Sequence, residues 1–187
     1  MPYKKAVARR DGLFSLQKQE GNDVDWSLMF HKRVMVFGCG NILKGDDGLG
    51  PAVVRLLEEQ GGLPDEVGLL DIGTSIREVL LDMLLMDPKP ARIIVVDAVT
   101  EPSRNAGEFW EIDVDMVSPK KVKDFSLHQF PSVNLLKDLK ETTGMDVRIL
   151  VVQTGCIPDE IDDRLTPEVT AVLPRVADRV RELCLLP

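Results

Sequence analysis

Apolar and polar positions along the chain fall into two alternating rhythms. Short apolar runs (Val34–Phe37, EVGLLDI at Glu66–Ile72, ARIIVVDAV at Ala91–Val99 and VRILVVQ at Val147–Gln153) predict strands buried on both faces of a parallel sheet. Between them, apolar residues recur at helical spacing. Val53, Val54, Leu56 and Leu57 follow Pro51, and Ile76, Val79, Leu80, Met83 and Leu84 run up to the stop at Asp87-Pro88. Leu135, Leu136 and Leu139 lie on a helix that opens within Ser126–Pro131. Val169, Val172, Leu173, Val176, Val180 and Leu183 follow Thr166-Pro167 on a last helix, which Pro174 is expected to kink. Phe109–Ile112, behind a glycine-containing loop, predicts a hairpin or edge partner and is the candidate antiparallel strand. This alternation predicts an α/β fold. It is a three-layer α/β/α sandwich whose mostly parallel, twisted sheet carries helices on both faces.

Residues 1–32 break the pattern. Charges (Lys4, Lys5, Arg9, Arg10, Asp11) mix with scattered apolar residues (Leu13, Phe14, Leu16, Trp26, Phe30) without a sustained period. They read as an N-terminal arm on a single domain spanning 33–187, packing a few residues on that domain or on a second subunit. A partner-binding segment anchored by Trp26 and Phe30 is the alternative.

Composition narrows the function classes. At 187 residues the chain suits one domain with a real core, and a net charge of −8 argues against a nucleic-acid partner. No apolar run is long enough to cross a membrane, and the N-terminus lacks the apolar segment of a signal peptide. The three cysteines, Cys39, Cys156 and Cys184, form no CxxC pair and read as reduced, small buried residues of a cytosolic protein.

Candidate chemistry gathers at one edge of the sheet, because ligands of such folds bind beyond the carboxyl ends of the strands. Asp46 and Asp47 follow the first core strand and its Gly38-Cys39-Gly40-Asn41 turn, Asp71 ends the second strand, and Asp97 ends the third. His128 stands on a later loop able to fold over the same edge. A dinucleotide site fails, since Leu43 stands where the third glycine belongs and two carboxylates would repel a pyrophosphate. A proton-sharing Asp46–Asp47 pair fails because adjacent side chains diverge; one serves the site while the other bonds backbone amides. A metal site built from two carboxylates and an imidazole stays open. So does a purely structural reading, with Asp71 bonding the Gly73-Thr74 backbone, Asp97 capping a turn and His128 satisfied by the helix it precedes.

GCGNILKGDDGLG (Gly38–Gly50), DIGT (Asp71–Thr74), IIVVDAV (Ile93–Val99) and LHQF (Leu127–Phe130) together resemble the [NiFe]-hydrogenase maturation endopeptidases. LHQFPSVNLL is most similar to the branch serving the coenzyme F-420-reducing (deazaflavin) hydrogenases of methanogenic archaea. The resemblance implies a cytoplasmic peptidase that removes the C-terminal peptide of a hydrogenase large-subunit precursor after nickel insertion. It implies Asp47, Asp97 and His128 as metal ligands and Asp71 as a further functional carboxylate. Nickel would arrive with the precursor and not be permanently bound; neither nucleic acid nor membrane is an expected partner. Many members carry glutamate where Asp47 stands, so this chain reaches one methylene less far, and residues before Arg33 have no family counterpart. Two mechanisms follow: nickel as Lewis acid, or Asp71 as general base with nickel serving recognition. The rival of a different class is a nickel-checking chaperone that binds the precursor without cutting it.

Overall fold

The computed structural model describes residues 5–8, 14–17, 31–85, 87–116 and 130–187. In chain order the elements are β1 (Lys5–Ala8), β2 (Phe14–Gln17), β3 (Val34–Cys39), α1 (Leu49–Gln60), β4 (Val67–Gly73), α2 (Ile76–Leu85), β5 (Arg92–Val99), β6 (Phe109–Ile112), α3 (Phe130–Thr143), β7 (Asp146–Gln153) and α4 (Pro167–Leu185). Short 3-10 turns occupy Gly45–Gly48 and Val114–Met116.

The main sheet has the order β4-β3-β5-β7-β6. Its first four strands are parallel, and β6 runs antiparallel to β7, pairing Phe109 with Val152 and Ile112 with Ile149. The edge strand anticipated from the sequence is therefore present. Side chains alternate across the sheet. Val34 and Val36 pack with Leu57, Val176 and Val180 of α1 and α4, while Met35 and Phe37 pack with Leu80, Met83 and Leu139 of α2 and α3. Strands β3, β4, β5 and β7 bury both faces, which explains their apolar runs, whereas the edge strand β6 is only partly buried.

β1 and β2 form a separate antiparallel pair, from Lys5↔Gln17 to Ala8↔Phe14. Four-residue strands are too short to impose a visible period on so mixed a composition. The opening of α3 before Phe130 lies outside the described residues. Pro174 sits within the continuous Pro167–Leu185 helix.

Backbone contact between α1 and the sheet positions the candidate site. A Cβ on Gly50 would lie 2.3 Å from the Cys39 carbonyl oxygen and 2.5 Å from that of Val96. One on Gly38 would lie 2.5 Å from the Gly50 oxygen. Only glycine allows the start of α1 to rest directly on β3 and β5. The chain leaves β3 for β4 on one side and later returns to β5 on the other. The Asp46-Asp47 turn thus sits at the topological switch point, where the crevice of an open α/β sheet forms.

Candidate active site

The turn after β3 is built around Gly40, whose φ of +122° and near contact with Asp47 exclude a side chain; a Cβ there would lie 1.8 Å from the Asp47 carbonyl oxygen. Asn41 accepts the Leu43 amide on its own Oδ1 at 3.0 Å and the Lys44 amide on its carbonyl at 3.0 Å. The Asn41 amide in turn donates to Asp47 Oδ2 at 2.8 Å. This folds the Asp47 carboxylate back over the end of β3, where it is buried.

Asp97 is more deeply enclosed. Its Oδ1 accepts the Ala98 amide at 2.8 Å, and its buried Oδ2 has no hydrogen-bond partner among the described residues. Burial, reinforced by the nearby Asp47 carboxylate and opposed by the Ala98 amide, pushes the Asp97 carboxyl well above its ordinary range. A buried carboxylate oxygen left unpaired is costly unless something outside the chain meets it. A cation brought between Asp47 and Asp97 fits that donor set: it supplies Oδ2 with a partner and relieves the repulsion.

Asp71 ends β4, half-buried, with Oδ1 accepting the Gly73 amide at 2.9 Å, the backbone bond anticipated for it. Its distance from the other two is bridged electrostatically by Cys39. Burial first, then the carboxylates of Asp97, Asp71 and Asp47, push the Cys39 thiol well above its usual value. One thiol thus feels three carboxylates from three strand ends. The same shift keeps it protonated, so Cys39 packs and does not attack.

Asp46 has a different task. Fully buried, its Oδ2 accepts the Gly155 amide at 2.7 Å, the Cys156 amide at 2.9 Å and the Thr166 hydroxyl at 2.9 Å, while Oδ1 accepts the Thr166 amide at 2.7 Å. The adjacent aspartates do diverge, but the amides that Asp46 bonds belong to the loop after β7, not to its own turn. Cys156 contributes through its backbone, and its side chain is exposed, which corrects the expectation of three buried thiols; Cys39 and Cys184 are buried. Thr166, seen in the sequence only as a helix start, makes no side-chain cap on α4 because its hydroxyl is taken by Asp46. Lys44 was equally silent. Its ammonium donates to the carbonyls of Pro158 and Asp159, bracing the same loop.

His128 and the LHQF stretch before Phe130 lie outside the described residues. Among the described residues, no group of three or more His, Cys, Asp or Glu side chains forms a metal-holding cluster. The described part of the site is therefore a pair of buried carboxylates, Asp47 and Asp97, with Asp71 at the same edge on β4, across β3 from the β5 strand that carries Asp97.

Residues 51–182 match the hydrogenase maturation protease family (HycI). The chain belongs to this family. It is a peptidase of hydrogenase maturation. A Methanocaldococcus jannaschii protein provisionally named as a hydrogenase maturation protease is 35% identical over 158 residues, covering 84% of this chain and 97% of the relative. The coenzyme F-420 hydrogenase subunit delta of Methanothermobacter thermautotrophicus is 33% identical over 161 residues, covering 82% and 95%. The solved hydrogenase maturating endopeptidase HybD of Escherichia coli superposes with a TM-score of 0.61 at 30% identity, covering 79% of this protease and 89% of HybD. Among the described residues of the protease, no helix is long and apolar enough to cross a membrane.

Proposed function

We propose that this protease removes the C-terminal peptide of a [NiFe]-hydrogenase large-subunit precursor, and that it reads precursor-borne nickel with Asp47, Asp97 and His128. The observation that carries the reading is the unpartnered, buried Oδ2 of Asp97 close to the Asp47 carboxylate. Two carboxylates make a poor resident metal site but a good completion for an ion already held by the precursor's own ligands. The nickel is thus part of the substrate, and the carboxylates test whether it has been installed. The similarity to a coenzyme F-420 hydrogenase subunit favours a deazaflavin-reducing hydrogenase of a methanogenic archaeon as the enzyme matured, in the cytoplasm.

Asp47 and Asp97 orient the loaded precursor so that its scissile bond lies along the carboxyl edge of the sheet. Nickel, when present on the precursor, supplies Lewis acidity toward the scissile carbonyl or an attacking water. Asp71, half-buried at the same edge, is the carboxylate with solvent access and serves as general base for that water. The buried Cys39 thiol belongs to the apolar core beneath this edge. The test is an intact-mass spectrum of purified precursor, nickel-loaded and nickel-free, after incubation with the protease. One C-terminal peptide should be lost from the loaded form only. Equal cleavage of both forms would remove nickel from the account.

A further inference from the structure

Among the described residues, seven large apolar side chains are left exposed, and four of them, Ile42, Leu43, Ile157 and Ile161, stand on two adjoining loops at the site's rim. Ile161 is 77% exposed. Single exposed aliphatics are ordinary, but a cluster on one rim marks a contact surface. These loops are firmly tied. The Gly45 amide donates to the Asp162 carbonyl at 2.6 Å, the Asp162 amide to the Leu43 carbonyl at 3.1 Å, and the Asp46 amide to the Cys156 carbonyl at 3.2 Å. The Lys44 ammonium and the Asp46 carboxylate add the bonds already described. Apolar side chains held on a rigid frame lose little entropy when a partner covers them.

Between the loops runs a groove of about 580 Å³, lined by Leu43, Pro158 and Ile161 and by the acidic Glu160, Asp162 and Asp163. That volume lies within the roughly 300–1,000 Å³ of ordinary ligand sites. Arg164 is engaged on Asp162 through Nε and Nη2, each at 2.9 Å, so Glu160 and Asp163 leave the groove with a net negative charge. The groove therefore complements a segment that carries aliphatic and cationic side chains together. Leu43 on its wall and Asp47 at the candidate site belong to one turn, so the groove adjoins the turn that carries the first carboxylate.

Resting on the reading of this chain as a precursor endopeptidase, we propose that the groove seats the precursor's C-terminal peptide and selects one bearing aliphatic and Lys or Arg residues. Leu43 and Ile161 cover the aliphatic side chains, and Glu160 and Asp163 pair with the cations. Two variants separate this proposal from the reading it rests on: Leu43→Ser with Ile161→Ser, and Glu160→Lys with Asp163→Lys. All four side chains line the open groove, outside the carboxylate site, and a thermal melt confirms that each variant folds. Cleavage of nickel-loaded precursor is followed by intact mass over a range of precursor concentrations. In parallel, a labelled synthetic peptide with the sequence of the C-terminal extension is titrated by fluorescence anisotropy, which requires neither nickel nor cleavage. The expected result is a KM raised at least tenfold in both variants, with kcat within twofold of wild type and weakened peptide binding. The charge-reversed variant should also lose the salt sensitivity of KM that wild type shows. Wild-type cleavage with KM unchanged in both variants would overturn the groove and leave the endopeptidase reading standing. Groove-dependent peptide binding without precursor cleavage would do the reverse.

Discussion

Asp46 and Thr166 are joined twice, the Asp46 carboxylate accepting both the amide at 2.7 Å and the hydroxyl at 2.9 Å of a residue 120 positions further along the chain. With the Gly155 and Cys156 amides, this makes Asp46 the buried anchor that fixes the loop after β7 against the turn after β3. Asp46→Asn replaces an acceptor-only group with one that must turn an NH2 toward backbone donors. We expect it to destabilise the fold by about 2–4 kcal/mol, or roughly 5–12 °C in Tm, measured by calorimetry. Asp47→Asn, at the next position, needs to keep only the Asn41 amide bond, which its amide oxygen can accept. Its Tm should stay within a few degrees of wild type while cleavage is lost.

Asp97→Asn should separate stability from activity in the opposite direction. The folded-state carboxyl lies above the unfolded value of about 3.9, so its contribution to stability is fully present below that pH and falls as pH rises toward the folded pKa. Asparagine cannot ionise and escapes this loss. The variant without bound metal should therefore melt higher than wild type at neutral pH and show a flatter pH dependence, yet fail to cleave nickel-loaded precursor. A lower Tm at neutral pH would contradict the reading of Asp97 as a carboxylate destabilising in the absence of a cation.

Gly50→Ala tests the seating of α1. Its Cβ would meet the Cys39 and Val96 carbonyl oxygens at 2.3 and 2.5 Å, and backbone cannot yield as a flexible side chain would. A loss of about 2–3 kcal/mol is expected, together with reduced kcat, because the shift is transmitted to the turn carrying Asp47. Urea unfolding and single-turnover cleavage read the two effects separately.

At the opposite edge of the sheet, Arg92 holds the end of α4. Its Nη1 donates to the carbonyls of Leu183 and Leu186 at 2.9 Å, Nη2 to that of Pro187 at 3.0 Å, and Nε to Asp146. Arg92→Met should cost about 3 kcal/mol and leave cleavage kinetics unchanged below the melting range. Partial burial works against ionisation of Asp146, but hydrogen bonds from Arg92 and Arg148 prevail and hold its carboxyl below the usual range. That contribution is present above about pH 3.9 and disappears as pH falls through the lower folded value, so the variant should lose less stability on acidification than wild type.

Legibility followed distance along the chain. Strands β3, β4, β5 and β7 were readable because burial on both faces writes a continuous apolar run. The gathering of Asp47, Asp71 and Asp97 followed from a rule about strand ends. The Asp71 bond to Gly73 is local, so it too could be foreseen. Which of the two adjacent aspartates holds the loop was open from the residues alone, and only the resemblance singled out Asp47, since the partners of Asp46 lie on a loop more than a hundred residues away. Cys156 misled for the same reason, because a small apolar residue type says nothing of a loop held out by its own amide. The groove was illegible because Leu43 and Ile161 are unremarkable singly and meet only when the Lys44–Asp162 pairing brings their loops together. His128, outside the described residues, keeps the standing that the resemblance lends it.

The most direct measurement is the rate of precursor cleavage, nickel-loaded against nickel-free, in wild type, Asp47→Asn and Asp97→Asn, each followed by intact mass under single-turnover conditions. The account predicts rapid loss of one C-terminal peptide from the loaded precursor by wild type, none from the nickel-free form, and at least a hundredfold slower loss by either variant. Cleavage of nickel-free precursor at the wild-type rate, or a variant that cuts the loaded precursor as fast as wild type, would contradict the claim that these two carboxylates read the substrate's nickel.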